Sequence, residues 1–175
     1  MRSPDSTPRQ RAPRKATTPW SHIERDPGSL AVEDFPVTLL VQLGNALRRT
    51  VTTPYAEQFG LSESEWRIFT LVINFSPLNM GELVSLSVSD KALVSRSVKA
   101  LKAKGLIDVV PDPGGHLKRL VCVKTAKGTA LHTRIFPLAQ RKQAEILAPL
   151  NREERDALYH CLRKLNAPFA PGSAD

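Results

Sequence analysis

The run from Asn79 to Arg119 limits the fold more than any other part of this sequence. Asn79 and Glu82 have the spacing of a capping box, which opens a short helix reaching about Leu86. A second helix is expected from Ser89 to Gly105. Stepping about 100° per residue separates its faces. Leu93, Val94, Val98 and Leu101 fall on one side, and Ala92, Ser95, Arg96, Lys99 and Ala103 on the other. Gly105 stops this helix. Residues 106–111 and 118–124 then read as strands, because β-branched side chains are frequent and Pro113-Gly114-Gly115 supplies a turn between them. Two short helices followed by a basic hairpin make a winged helix-turn-helix. Small outward side chains flanked by cations suit a helix that sits deep in a DNA major groove.

The flanking segments read as helices of another kind. One begins near Asp34 with Pro36 in its first turn, where a missing N–H costs nothing. Leu39, Leu40, Leu43, Leu47 and Val51 keep helical spacing; Pro54 is expected to interrupt the helix and Gly60 to end it. Ser62 with Glu65 forms a capping box for a helix from about Glu63 to Asn74 that carries Trp66, Ile68, Phe69, Leu71 and Val72. Thr125 caps a long helix to about Leu150 with Pro137 inside it, and Asn151 with Glu154 opens a last helix to about Leu165. The expected class is mainly α with a small β-wing (α+β). Residues 1–19, rich in Pro and Arg, read as a disordered basic arm. Residues 20–61 hold the N-terminal segment and first dimerisation helix, 62–124 the DNA-binding lobe, 125–166 the C-terminal dimerisation helices, and 167–175 a disordered tail.

Charge and composition narrow the function. The net charge is +8 and the pI about 9.9. This favours a polyanionic partner, since neutralising phosphates releases condensed counterions. Cys122 and Cys161 match no metal or disulfide spacing and read as reduced, partly buried thiols of a cytoplasmic protein. No apolar run is long enough to span a membrane. His22, His116, His132 and His160 fall in separate elements, with no metal spacing and no nucleophile motif beside them. Neither an enzyme nor a cofactor is expected.

The chain resembles the multiple antibiotic resistance regulator (MarR) family of bacterial transcription factors over roughly Phe35 to Leu165. The resemblance rests on Phe59-Gly-Leu-Ser, Glu65-Trp-Arg, Met80-Gly-Glu-Leu-Val, the run Asp90 to Ile107, Pro111-Asp-Pro and Thr125-Ala-Lys-Gly. It implies a homodimer whose terminal helices interlock and whose two winged lobes straddle a pseudo-palindromic operator. The apolar stripes on the first and last helices point the same way, because a two-fold dimer covers both copies at once. Two recognition helices would then meet successive major grooves about 34–36 Å apart. The wing departs from the family pattern of an Asp followed by an Arg: Gly114 or Gly115 takes the acidic place and His116 falls near that of the arginine. His116, Lys118 or Arg119 is expected to take over, on phosphates.

Each residue then has an expected role. Arg96 is the first candidate for a base-edge contact, since Arg grips guanine O6 and N7 bidentately; Ser95 and Lys91 follow, beside the small Ala92. Lys99 and Lys102 are expected on phosphates. The resemblance also implies a small aromatic acid or phenol that releases the operator. Candidates for its site are Trp20 and His22 before the first helix, Arg48 and Arg49 on it, and Trp66 and Arg67 on the second. Two other DNA-binding functions compete with a ligand-released repressor. One is a non-specific architectural protein, which would show no operator preference; the other is a redox-responsive regulator using Cys122 or Cys161.

Overall fold

Local side-chain caps set most of the element boundaries. The computed structural model describes residues 18–23, 28, 30–112, 114 and 119–169. It divides after Asn45 into two compact units, residues 1–45 and 46–175.

In the first unit, 3-10 turns span Pro19–His22 and Val32–Asp34, and the Trp20 indole Nε1–H donates to the Asp34 carbonyl at 2.7 Å. Helix α1, Pro36–Leu47, follows and runs past the division. It carries no buried residue; Leu39, Leu40, Val41 and Leu43 are all exposed.

The second unit holds the core. A wide π-type stretch, Arg48–Thr52, leads into α2, Thr53–Glu57, with Pro54 in its first turn as a tolerated position. Gly60, at φ +73°, ends this region in a conformation that favours glycine. Helix α3, Glu63–Phe75, is capped reciprocally by Ser62 and Glu65. Strand β1, Leu78–Asn79, runs straight into α4, Met80–Ser87, whose N-cap is Asn79. Helix α5 spans Lys91–Ala103, and the Asp90 carboxylate accepts the Leu93 N–H at 2.7 Å. That cap starts the helix two residues later than the expected Ser89. Strands β2, Ile107–Pro111, and β3, Leu120–Lys124, form an antiparallel hairpin, and β1 pairs with the other side of β3 through Leu78–Cys122 and Asn79–Val121. The sheet therefore has three strands, one more than the sequence reveals. Helix α6, Ala126–Leu147, is capped by Thr125 and includes Pro137; helix α7, Arg152–Asn166, is capped by Asn151 with Glu154 and adds a 3-10 turn, Ala167–Phe169, where a tail was expected.

Phe69, Ile68, Leu83, Val94, Leu101, Ile107 and Ile135 are fully buried and join α3, α4, α5, β2 and α6 around one core. Helix α7 has no buried residue, and Leu158, Tyr159, Leu162 and Leu165 stand exposed on it.

Candidate nucleic-acid interface

Helix α5 is anchored by its apolar face and presents the opposite one. Val94, Ser97, Val98 and Leu101 are buried, while Lys91, Ala92, Arg96 and Lys99 are exposed and Ser95 is half-covered. The helix is fixed at both ends. At its start, Arg67 on α3 reaches the Ser87 carbonyl and Ser89 Oγ in the turn before α5 and pairs with Glu63. At its end, Lys104 Nζ donates to both Glu65 carboxylate oxygens and to the Gly60 carbonyl, each at 2.8 Å. Burial works against the Glu65 charge, but Lys104 and the Ser62 N–H outweigh it and hold the carboxyl below its usual range. The turn between α4 and α5 places Val88 in the left-handed region, φ 49°, with 90% of its surface exposed.

The cations expected on DNA separate into two groups. Lys91, Arg96 and Lys99 form no ion pair among the described residues. Lys102 Nζ instead sits 3.0 Å from Asp108 on β2, which holds that carboxyl below its ordinary range. Arg119 lies between Glu82 and Asp112 at 3.5 and 3.8 Å. Sequence reading missed these carboxylates because Glu82 is distant in the chain and Asp108 belongs to a strand rather than to α5. His116 and Lys118 lie outside the described residues.

The candidates for a small-molecule site are more scattered. Arg48 and Arg67 line one cleft with Glu63, Ser89 and Leu93. Arg49 is exposed. Trp66 is 7% exposed and belongs to the core: it meets Tyr55 edge-on and stacks on His132. Trp20 belongs to the first unit, tied to Asp34, and the His22 side chain lies outside the described residues. No sequence signal marked His132 as part of a site. Its ring is packed among Trp66, Phe69 and Phe136, its Nε2 has no hydrogen-bond partner among the described residues, and burial pushes its pKa down.

Other chemistries find little support. Burial raises the Cys122 thiol pKa, the opposite of an activated thiolate, and Cys161 is exposed rather than partly buried. Among the described residues no cluster of three His, Cys, Asp or Glu side chains is placed to hold a metal, and no helix is long and apolar enough to cross a membrane.

A capped helix-turn-helix followed by a hairpin wing, with cations on the outer face of its second helix, is the architecture of a DNA-binding regulator. Residues 59–116 match the MarR family. The chain is 28% identical over 145 residues to the transcriptional repressor NicR of Pseudomonas putida, an alignment covering 79% of this chain and 91% of NicR. Its fold matches a MarR/EmrR family transcriptional regulator from Acinetobacter sp. ADP1 with a TM-score of 0.71 and 25% identity, over 79% of this chain and 96% of that one. It also matches Bordetella bronchiseptica BpsR, whose DNA binding is regulated by 6-hydroxynicotinic acid, with a TM-score of 0.65 and 20% identity, over 78% and 96% of the two chains. The chain is therefore similar to MarR-family transcriptional regulators, through its winged helix-turn-helix in sequence and over most of its length in fold.

Proposed function

We propose that this regulator is a cytoplasmic, homodimeric repressor that reads a pseudo-palindromic double-stranded DNA site and leaves it when a small aromatic acid or phenol binds. One observation carries the DNA-reading part: α5 buries Val94, Val98 and Leu101 and turns Lys91, Ala92, Arg96 and Lys99 outward, with no acidic partner among the described residues. Small side chains allow close approach, and Arg96 supplies a bidentate donor for guanine. Ser95 and Lys91 are the next candidates for base edges, and Lys99 serves the phosphates. The many exposed apolar side chains of α1 and α7 support a dimer, since a second copy would remove both faces from water.

The effector reading has separate support. BpsR responds to 6-hydroxynicotinic acid, an aromatic acid. In this chain Arg48 and Arg67 line a common cleft with Glu63, and a ligand carboxylate there would compete with Glu63 for the Arg67 guanidinium. Arg49 on the same unit, and separately Trp20 and His22 of the first unit, are the other candidates for holding an aromatic acid. A ligand that binds better to a dimer with another lobe spacing lowers DNA affinity by its differential affinity alone.

Selection of bound duplexes from a random pool, repeated with a panel of aromatic acids, tests both parts. The expected result is a two-fold symmetric site that is lost when one acid is present. A pool that never converges shows a non-specific architectural protein; a converged site indifferent to every acid removes the effector.

A further inference from the structure

Arg119 stands at the foot of β3, where three elements of the winged lobe meet. Its guanidinium Nη2 lies 3.5 Å from Glu82 Oε1 on α4, and its Nε lies 3.8 Å from Asp112 Oδ2 just beyond β2. Both carboxylates are already oriented by other bonds. Glu82 Oε2 accepts the Asn79 N–H at 2.7 Å, the returning half of the α4 capping box. Asp112 Oδ1 accepts the Gly114 N–H at 2.9 Å, and the Asp112 N–H donates to the Arg119 carbonyl at 2.8 Å across the hairpin stem. The Asp112 side chain is 15% exposed against 47% for Arg119. The carboxylate is thus set into the stem, and the guanidinium lies over it.

A cation at the base of a wing is ordinarily a phosphate ligand, which is the role the sequence suggests for Arg119. The local charge argues otherwise. Among the described residues, one guanidinium between two carboxylates sums to minus one, and each carboxylate beside the guanidinium repels phosphate. To reach DNA, Arg119 would have to leave both partners and uncover both acids beside the backbone. We propose that Arg119 is a positioning residue: it clasps the wing stem to α4 through Asp112 and Glu82, and it touches no phosphate. Arginine suits this task because its planar fork offers donors in two directions, whereas a lysine ammonium is a single point charge. The clasp rests on the DNA-reading function proposed above.

The test uses the full chain and its Glu82→Gln, Asp112→Asn, Arg119→Ala and Arg119→Lys variants. Each is titrated against a duplex selected by the wild type and against a scrambled duplex, over a series of salt concentrations. The clasp predicts that Glu82→Gln and Asp112→Asn bind the selected duplex about two- to fivefold more weakly, although each removes a negative charge. It predicts that Arg119→Lys does not recover what Arg119→Ala loses. It also predicts that Arg119→Ala keeps the wild-type slope of log affinity against log salt. In a double-mutant cycle, Glu82→Gln adds no loss to Arg119→Ala. A phosphate ligand predicts the reverse: tighter binding of both duplexes by the carboxylate variants, rescue by Lys, and a slope shallower by about one per protomer in Arg119→Ala. Any of those results overturns the clasp, and so do unchanged affinities in both carboxylate variants. A wild-type chain without preference for any duplex overturns the DNA-reading function and the clasp with it. A clear wild-type preference combined with the reverse pattern overturns the clasp alone.

Discussion

Replacing Gly128 by alanine sets two well-understood effects against each other. Gly128 lies in the first turn of α6, where its N–H is held by Thr125 Oγ1 at 2.9 Å, and that same hydroxyl reaches the Gly105 and Leu106 carbonyls. A Cβ at this position would fall 2.0 Å from the Leu106 carbonyl oxygen, 3.0 Å from its carbon and 3.3 Å from a Phe69 ring carbon. Helix propensity alone favours alanine by about 0.8–1 kcal/mol. Steric overlap acts in the other direction, and the atoms struck are backbone at the entrance to β2 rather than the tip of a flexible side chain. Relief requires a shift of more than about 1 Å, and overpacking of this kind costs typically about 1–3 kcal/mol, occasionally more. The overlap should win, leaving Gly128→Ala less stable by about 1–2 kcal/mol net. Urea unfolding followed by far-UV circular dichroism, at one fixed protomer concentration, measures this directly. A variant as stable as the wild type, or more stable by the amount propensity predicts, would refute the close approach of α6 to the start of the wing.

Other perturbations test separate parts of the structure. Val88→Asn should stabilise the chain by about 0.5–1 kcal/mol, because Asn tolerates the left-handed region far better than a β-branched side chain and the exposed valine has little burial to lose; an unchanged urea midpoint argues against strain in that turn. His132 is held neutral by burial, so the unfolded chain binds the extra proton first. Stability should be full above the ordinary imidazole range, about 6.5, and fall as pH drops below it toward the lowered folded value. His132→Leu should flatten that fall between pH 7 and 5, with the Glu65 contribution lost only at lower pH; equal pH profiles for both chains contradict the assignment. Arg96→Ala should weaken binding of the selected duplex by about 1–3 kcal/mol and relax one position per half-site, measured at constant salt. Wild-type affinity in that variant would remove Arg96 from the reading face.

Local chemistry made much of this fold legible. The boxes Ser62–Glu65, Asn79–Glu82 and Asn151–Glu154 and the cap at Thr125 fix helix starts over three or four residues, and such distances are visible in any sequence. The faces of α5 followed from its apolar period. Features that depend on partners far along the chain stayed hidden. Strand β1 is two residues long and exists only because β3, more than forty residues later, offers it an edge. Arg119 reads as an open cation until Glu82, 37 residues earlier, is placed beside it. Trp66 reads more readily as core than as pocket wall, but its stacking on His132, far along the chain, is not visible in the sequence. The Lys102 pair stayed hidden for another reason: Asp108 is close in the chain but sits on β2 across the turn, at no helical spacing from Lys102.

The short strand β1 has a mechanical consequence. Asn79 is at once the sheet partner of Val121 and the cap of α4, so no hinge residue separates the wing hairpin from the helix-turn-helix. Peeling β3 away from β1 would release the Asn79 side chain from the Gly81 and Glu82 amides as well. Native-state hydrogen exchange should therefore find the amides of β3 and those of the first turn of α4 opening with one shared free energy, a single cooperative unit rather than two.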